Sequence, residues 1–153
     1  MTKVYDIIVI GAALNGLAAA LALGGRQVKR PLDIVVVDLK DPRGFATNSF
    51  DGRASAITSA ARRMFEALGV WQQVSHEAEP MRDIIVTDSA TPGAARPVLL
   101  QFGPEDMRGG PSSHMIENRH LYGAMLAEAQ QAPHIRFVVG FPVERYYYTP
   151  VLP

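Results

Sequence analysis

Cysteine is absent from the 153-residue chain. That excludes disulfide stapling, thiolate metal sites and cysteine nucleophiles, and it accords with a reducing compartment such as the cytoplasm. An excess of charge of either sign is missing as well. Fifteen Lys and Arg balance fifteen Asp and Glu, so no global field draws the chain to nucleic acid or to an anionic membrane surface. The four histidines, His76, His114, His120 and His134, show no H-x-x-x-H or comparable spacing. They read as surface or loop residues, and no metal site is expected. Internal repeats are lacking too. What remains is an ordinary globular composition, 48% hydrophobic and 20% charged, in a chain of one-domain size able to bury roughly two thirds of its unfolded surface.

The informative stretch is Tyr5 to Asp38. Tyr5-Asp6-Ile7-Ile8-Val9-Ile10 is apolar without alternation after Asp6, as expected for a strand covered on both faces. Gly11-Ala12-Ala13-Leu14-Asn15-Gly16 follows at once. It keeps the first and last glycines of the dinucleotide-binding G-x-G-x-x-G turn and places Ala13 at the middle one. Gly11 serves the tight turn, Gly16 serves close helix packing, and the middle position lets backbone amides approach a pyrophosphate. The methyl of Ala13 weakens that approach without forbidding it. Leu14, Leu17, Ala18, Leu21 and Ala22 form one helical stripe, and Gly24-Gly25 ends the helix. Asp33 to Asp38 is a second buried strand whose terminal acid can accept hydrogen bonds from an adenosine ribose. The step from Gly11 to Asp38 is 38 − 11 = 27 residues, longer than the roughly 20 of the usual motif, and the polar loop from Arg26 to Pro31 absorbs the excess.

Ile7 to Gly25 is nearly uncharged, which also suits a signal peptide or a membrane span. Asp6, Asn15 and the two turn glycines speak against that, as does the second strand with its acid. A generic α/β turn that binds nothing is the other bland reading.

Beyond Asp38 a long polar loop leads to Asp51-Gly52-Arg53-Ala54-Ser55-Ala56-Ile57. Thr58 or Ser59 can then cap a helix with Ala61, Met64, Phe65 and Leu68 inward and Gly69 at its end. Arg53 sits between loop and helix. Its guanidinium suits bidentate phosphate binding, a local pair with Asp51, or simple solvation. Ile84 to Thr87 and Val98 to Phe102, around Thr91-Pro92-Gly93, predict an antiparallel hairpin. Gly103 to Ser113 reads as a mobile loop. Asn118 is predicted to cap a helix reaching Gln131, with Leu121, Ala124 and Met125 inward, and Ile135 to Val139 is a third parallel strand. The expected class is therefore α/β, a Rossmann-like parallel sheet with an inserted antiparallel β-hairpin.

Three ordered segments resemble a known family: Ile8 to Leu17 with Asp38, Asp51 to Ile57, and Met115-Ile116-Glu117-Asn118-Arg119-His120-Leu121. They look like the N-terminal part of the ubiquinone-biosynthesis hydroxylases, FAD-dependent aromatic monooxygenases similar in fold to para-hydroxybenzoate hydroxylase. The resemblance covers residues 4 to about 145. It implies FAD as cofactor, NAD(P)H as co-substrate, and a small aromatic substrate in the parent enzyme. It also implies that Gly11, Ala12, Ala13, Leu14, Asn15 and Gly16 hold the pyrophosphate and Asp38 the ribose. Arg53 would face the phosphates, and Asn118, with Arg119 beside it, would reach the cofactor from the other side. A substrate with a polyprenyl tail implies peripheral contact of the parent with the inner membrane.

Family members are longer, so the expectation is an incomplete flavoprotein monooxygenase fold, a partial FAD-binding domain over residues 1–153 with an atypical tail at 146–153. Such a fragment is expected to be inactive alone, to carry no identifiable catalytic residue, and to leave Ile7 to Ile10 on an open sheet edge that favours self-association. An NAD-binding dehydrogenase domain and a fragment that binds nothing are the competing functions.

Overall fold

The computed structural model describes residues 3–44, 52–87, 97–103 and 110–147. Its centre is a parallel sheet in the order β1 (Ile7–Ile10), β2 (Ile34–Asp38), β8 (Ile135–Val139). Helix α1 (Leu14–Gly24) connects the first two strands, and α4 (Asn118–Gln131) packs against α1 and against β8. The buried face of α1 is Leu17, Ala20, Leu21 and Gly24, spaced i, i+3, i+4, i+7. Ala22, expected inward, is exposed. Gly24 takes its place because a Cβ there would stand 2.7 Å from Ile34 Cγ1 and 2.9 Å from Leu32 O. The helix ends pressed directly onto β2.

Strand β1 departs from the expectation of cover on both faces. Ile7 and Val9 pack on the core, while Ile8 and Ile10 are 64% and 60% exposed. The helices cover one face of the sheet, and β1 is an edge strand among the described residues. The central β2 keeps Ile34, Val35 and Val36 buried, as its unbroken apolar run implied.

The inserted region holds more strand than the sequence suggested. Strands β3 (Ala54–Thr58), β7 (Ser113–Glu117) and β4 (Glu79–Met81) form an antiparallel sheet in the order β3-β7-β4. Residues 54–57, read as loop, and Ser113, read as the end of a mobile loop, belong to it; residues 104–109 lie outside the described set. The strand was concealed because Ala54-Ser55-Ala56 has little β propensity, and pairing with Met115-Ile116-Glu117 supplies what propensity does not. The expected hairpin is present as β5 (Ile84–Thr87) and β6 (Val98–Phe102), with its connection outside the described residues.

Helix α2 (Ser59–Ala67) is capped by the Thr58 hydroxyl, which accepts the Ala61 amide at 3.2 Å. Phe65 and Leu68 are buried, but Met64 is 40% exposed. Gly69 ends this turn with a φ of 77°, a left-handed value that favours glycine. The short α3 (Trp71–Val74) inserts Trp71 and Val74 between α2 and α4. One core cluster thereby joins the parallel sheet, both long helices and β7.

Candidate nucleotide site

The turn after β1 has the geometry that its glycines require. Gly11 has a φ of 101°, in the region open to residues without a Cβ. A Cβ on Gly16 would stand 1.9 Å from the carbonyl oxygen of Gly11, so helix α1 can begin against the turn only with glycine there. Ala13 is the N-cap of α1 in extended conformation, makes no side-chain capping bond, and is exposed. No acidic residue occupies the first turn of α1, so the helix end presents backbone amides and positive potential. Leu14 packs partly on the core, and Asn15 is exposed.

Asp38, at the end of β2, closes onto this turn. Its Oδ2 accepts the Ala12 amide at 2.7 Å and its Oδ1 accepts the Lys40 amide at 2.8 Å. A carboxylate has about four acceptor positions, so lone pairs remain on both oxygens for hydroxyl donors. The acid is thus both a structural clasp and an acceptor.

Tyr122, which the sequence reading passed over, completes the clasp. Its hydroxyl donates to the Ala12 carbonyl at 2.9 Å. Burial, with the charges of Asp38 and Asp41 behind it, pushes its pKa up to about 12, so the phenol stays protonated and remains a donor. Its signal lay in the spacing: 118, 121, 122 and 125 lie on one helix face, and Leu121 and Met125 were already inward.

The second group of expected residues lies at the start of the same helix. The Asn118 amide donates to the Arg53 carbonyl at 3.0 Å, and the Asn118 Oδ1 accepts the Ser55 hydroxyl at 2.6 Å. Asn118 is therefore not the cap. Glu117 holds that position in extended conformation, and Asn118 is the first helical residue. The Asn118 side chain is engaged across β3 rather than with its own helix. Arg119 donates to Glu117 Oε2 at 2.6 Å, and the Arg53 side chain is exposed. Asn118 lies one helical turn before Tyr122, on the same face of α4. No group of three or more metal-ligating side chains occurs among the described residues.

No protein-family model matches the sequence. Among solved structures, the p-nitrophenol 4-monooxygenase PnpA of Pseudomonas putida superposes with a TM-score of 0.64 at 15% identity, covering 92% of this chain and 32% of that one. PqsL of Pseudomonas aeruginosa does so with a TM-score of 0.64 at 17% identity, covering 89% and 33%. The architecture is that of part of the FAD-dependent monooxygenase fold. Sequence similarity is narrower. Ubiquinone hydroxylase UbiL of Rhodospirillum rubrum is 33% identical over 131 residues, 86% of this chain and 28% of UbiL. Ubiquinone hydroxylase UbiM of Neisseria meningitidis is 26% identical over 144 residues, 91% of this chain and 29% of UbiM. The chain is a homologue of the ubiquinone-biosynthesis hydroxylases over a stretch that spans less than a third of their length.

Proposed function

We propose that the chain is the FAD-binding part of an NAD(P)H-dependent flavin monooxygenase that hydroxylates an aromatic ring, a ubiquinone precursor. The observation that carries this reading is the joining of the glycine turn to the acid of β2 through the 2.7 Å bond from the Ala12 amide to Asp38. It supports the reading because it brings the amides of the turn beside a carboxylate, as a pyrophosphate and a ribose of an adenine dinucleotide would require. The residues fit the cofactor. Glycine at 16 keeps the backbone bare where a Cβ would collide with Gly11 O, and the helix end carries no competing acid.

In this reading the amides of residues 11 to 16 receive the pyrophosphate, and Asp38 accepts from the ribose hydroxyls. Arg53 and Asn118, tied together through the backbone, flank the cofactor, with Arg119 next to them. When bound, the flavin would supply the redox chemistry, in which the hydride of a nicotinamide provides two electrons and dioxygen gives one atom to the ring and the other to water. The protein's part is to hold the cofactor and exclude water. A polyprenylated ring would bring the parent enzyme to a membrane surface; no helix among the described residues is long and apolar enough to cross one. The β1 edge, unpaired by any other strand among the described residues, supports pairing with a second copy.

The test is to titrate the purified chain with FAD. A protein-bound flavin spectrum with a raised thermal midpoint is expected. No binding at high micromolar FAD would end the proposal for this chain, and protection by NAD but not FAD would make it a dehydrogenase-type domain.

A further inference from the structure

We propose that Tyr122 is a positioning residue for the pyrophosphate, acting through the peptide that links Ala12 to Ala13. The inference rests on the reading of the turn as a dinucleotide site and names a residue outside the glycine motif that sets its geometry. A peptide unit is planar, so whatever holds the Ala12 carbonyl also aims the Ala13 N–H on the same plane. The Tyr122 hydroxyl holds that carbonyl at 2.9 Å in a buried contact. The preceding plane, Gly11 to Ala12, is held through its N–H by Asp38 at 2.7 Å.

Two successive peptides at the mouth of α1 are thus fixed from opposite elements, one by α4 and one by β2. Ala13 stands where the usual motif has glycine, so freedom lost to a methyl group is replaced by orientation imposed from outside. A hydrogen bond to a carbonyl also polarises its peptide and strengthens the N–H on the far side as a donor. Tyr122 therefore improves both the direction and the strength of the Ala13 amide toward an anion.

The experiment uses the full chain, isotope-labelled, with ADP and adenosine as probes. In the unsubstituted chain, ADP should shift the amide resonances of residues 11 to 16. Tyr122→Phe should weaken ADP about 3- to 10-fold, the range of one lost hydrogen bond, while adenosine, which has no phosphate, keeps its affinity. A purely structural role would weaken both ligands equally and overturn the proposal, as would unchanged ADP binding by the folded variant. If Tyr122→Phe does not fold, the Tyr122 Cζ resonance of the unsubstituted chain decides. It should move with the same saturation curve as the Ala13 amide, and a stationary Tyr122 signal overturns the proposal. Unmoved turn amides in the unsubstituted chain would sink the site reading itself, and this inference with it. ADP binding that ignores Tyr122 would leave the site reading standing alone.

Discussion

Arg26 grips both carboxylate oxygens of Glu128, at 3.0 and 2.9 Å, across 102 positions of sequence. The Glu128 side chain is 7% exposed and the Arg26 side chain 43%, and Gln73 Nε2 adds a third hydrogen bond to Glu128 at 2.7 Å. The loop after α1 is thereby anchored to α3 and α4. Arg26→Ala should lower stability by about 1 to 3 kcal/mol, because a buried carboxylate keeps Gln73 as its one side-chain partner among the described residues while the half-exposed arginine limits the loss. Urea denaturation checks this, and an unchanged midpoint would show that water replaces Arg26.

Gly16→Ala should abolish tight FAD binding, since its methyl group must enter space held by the Gly11 carbonyl. Backbone displacement of this kind costs about 1 to 3 kcal/mol and falls on the amides that face the phosphates. Fluorescence titration with FAD is the measurement. A variant that binds as well as the original would mean the cofactor is held elsewhere.

Arg53→Ala should weaken FAD by about 1.5 to 3 kcal/mol if the guanidinium makes charged hydrogen bonds to phosphate. Its backbone carbonyl, which receives the Asn118 amide, is retained, so the β3–α4 junction keeps that bond, and FAD affinity is compared with the thermal midpoint of the same variant. Unaltered FAD affinity would remove Arg53 from the phosphate site.

His114 gives the chain an acid limb. Burial, followed by the nearby Arg62 charge, lowers its pKa below the ordinary 6.5. Its Nδ1 finds no hydrogen-bond partner among the described residues. The ring lies edge-on to Trp71, with centroids 5.3 Å apart. A depressed folded-state pKa means the unfolded chain takes up the proton first. The stability contribution is complete above pH 6.5 and is lost as pH falls toward the lower folded value. His114→Phe should flatten that part of the stability curve in thermal melts between pH 7 and 5, whereas an identical slope would assign it to other groups.

The β1 edge should make the chain self-associate. Ile8 and Ile10 are exposed, and no proline or charge interrupts Ile7 to Ile10, so among the described residues the shortness of β1 is its main protection as an edge strand. Ile8→Lys should shift sedimentation toward monomer, and a monomeric parent chain would remove the premise.

Local patterning carried the βαβ unit. The uninterrupted apolar run of β2, the glycines at 11 and 16, and the acid at 38 each follow from constraints that act within a few residues, namely burial on both faces, collision with a Cβ, and the end of a strand. The helix from Asn118 to Gln131 and the β5-β6 hairpin were legible for the same reason. Only the tertiary structure decided that Ala54 to Thr58 is a strand, because its partner lies at Ser113 to Glu117 and pairing over such a distance leaves no local trace. It also decided that Asn118 turns to Ser55 instead of capping its helix, and that Tyr122 holds the turn 110 residues away. Hydrogen bonds between distant segments depend on how α4 and β2 pack around one core, and that packing is written in no single stretch of the chain.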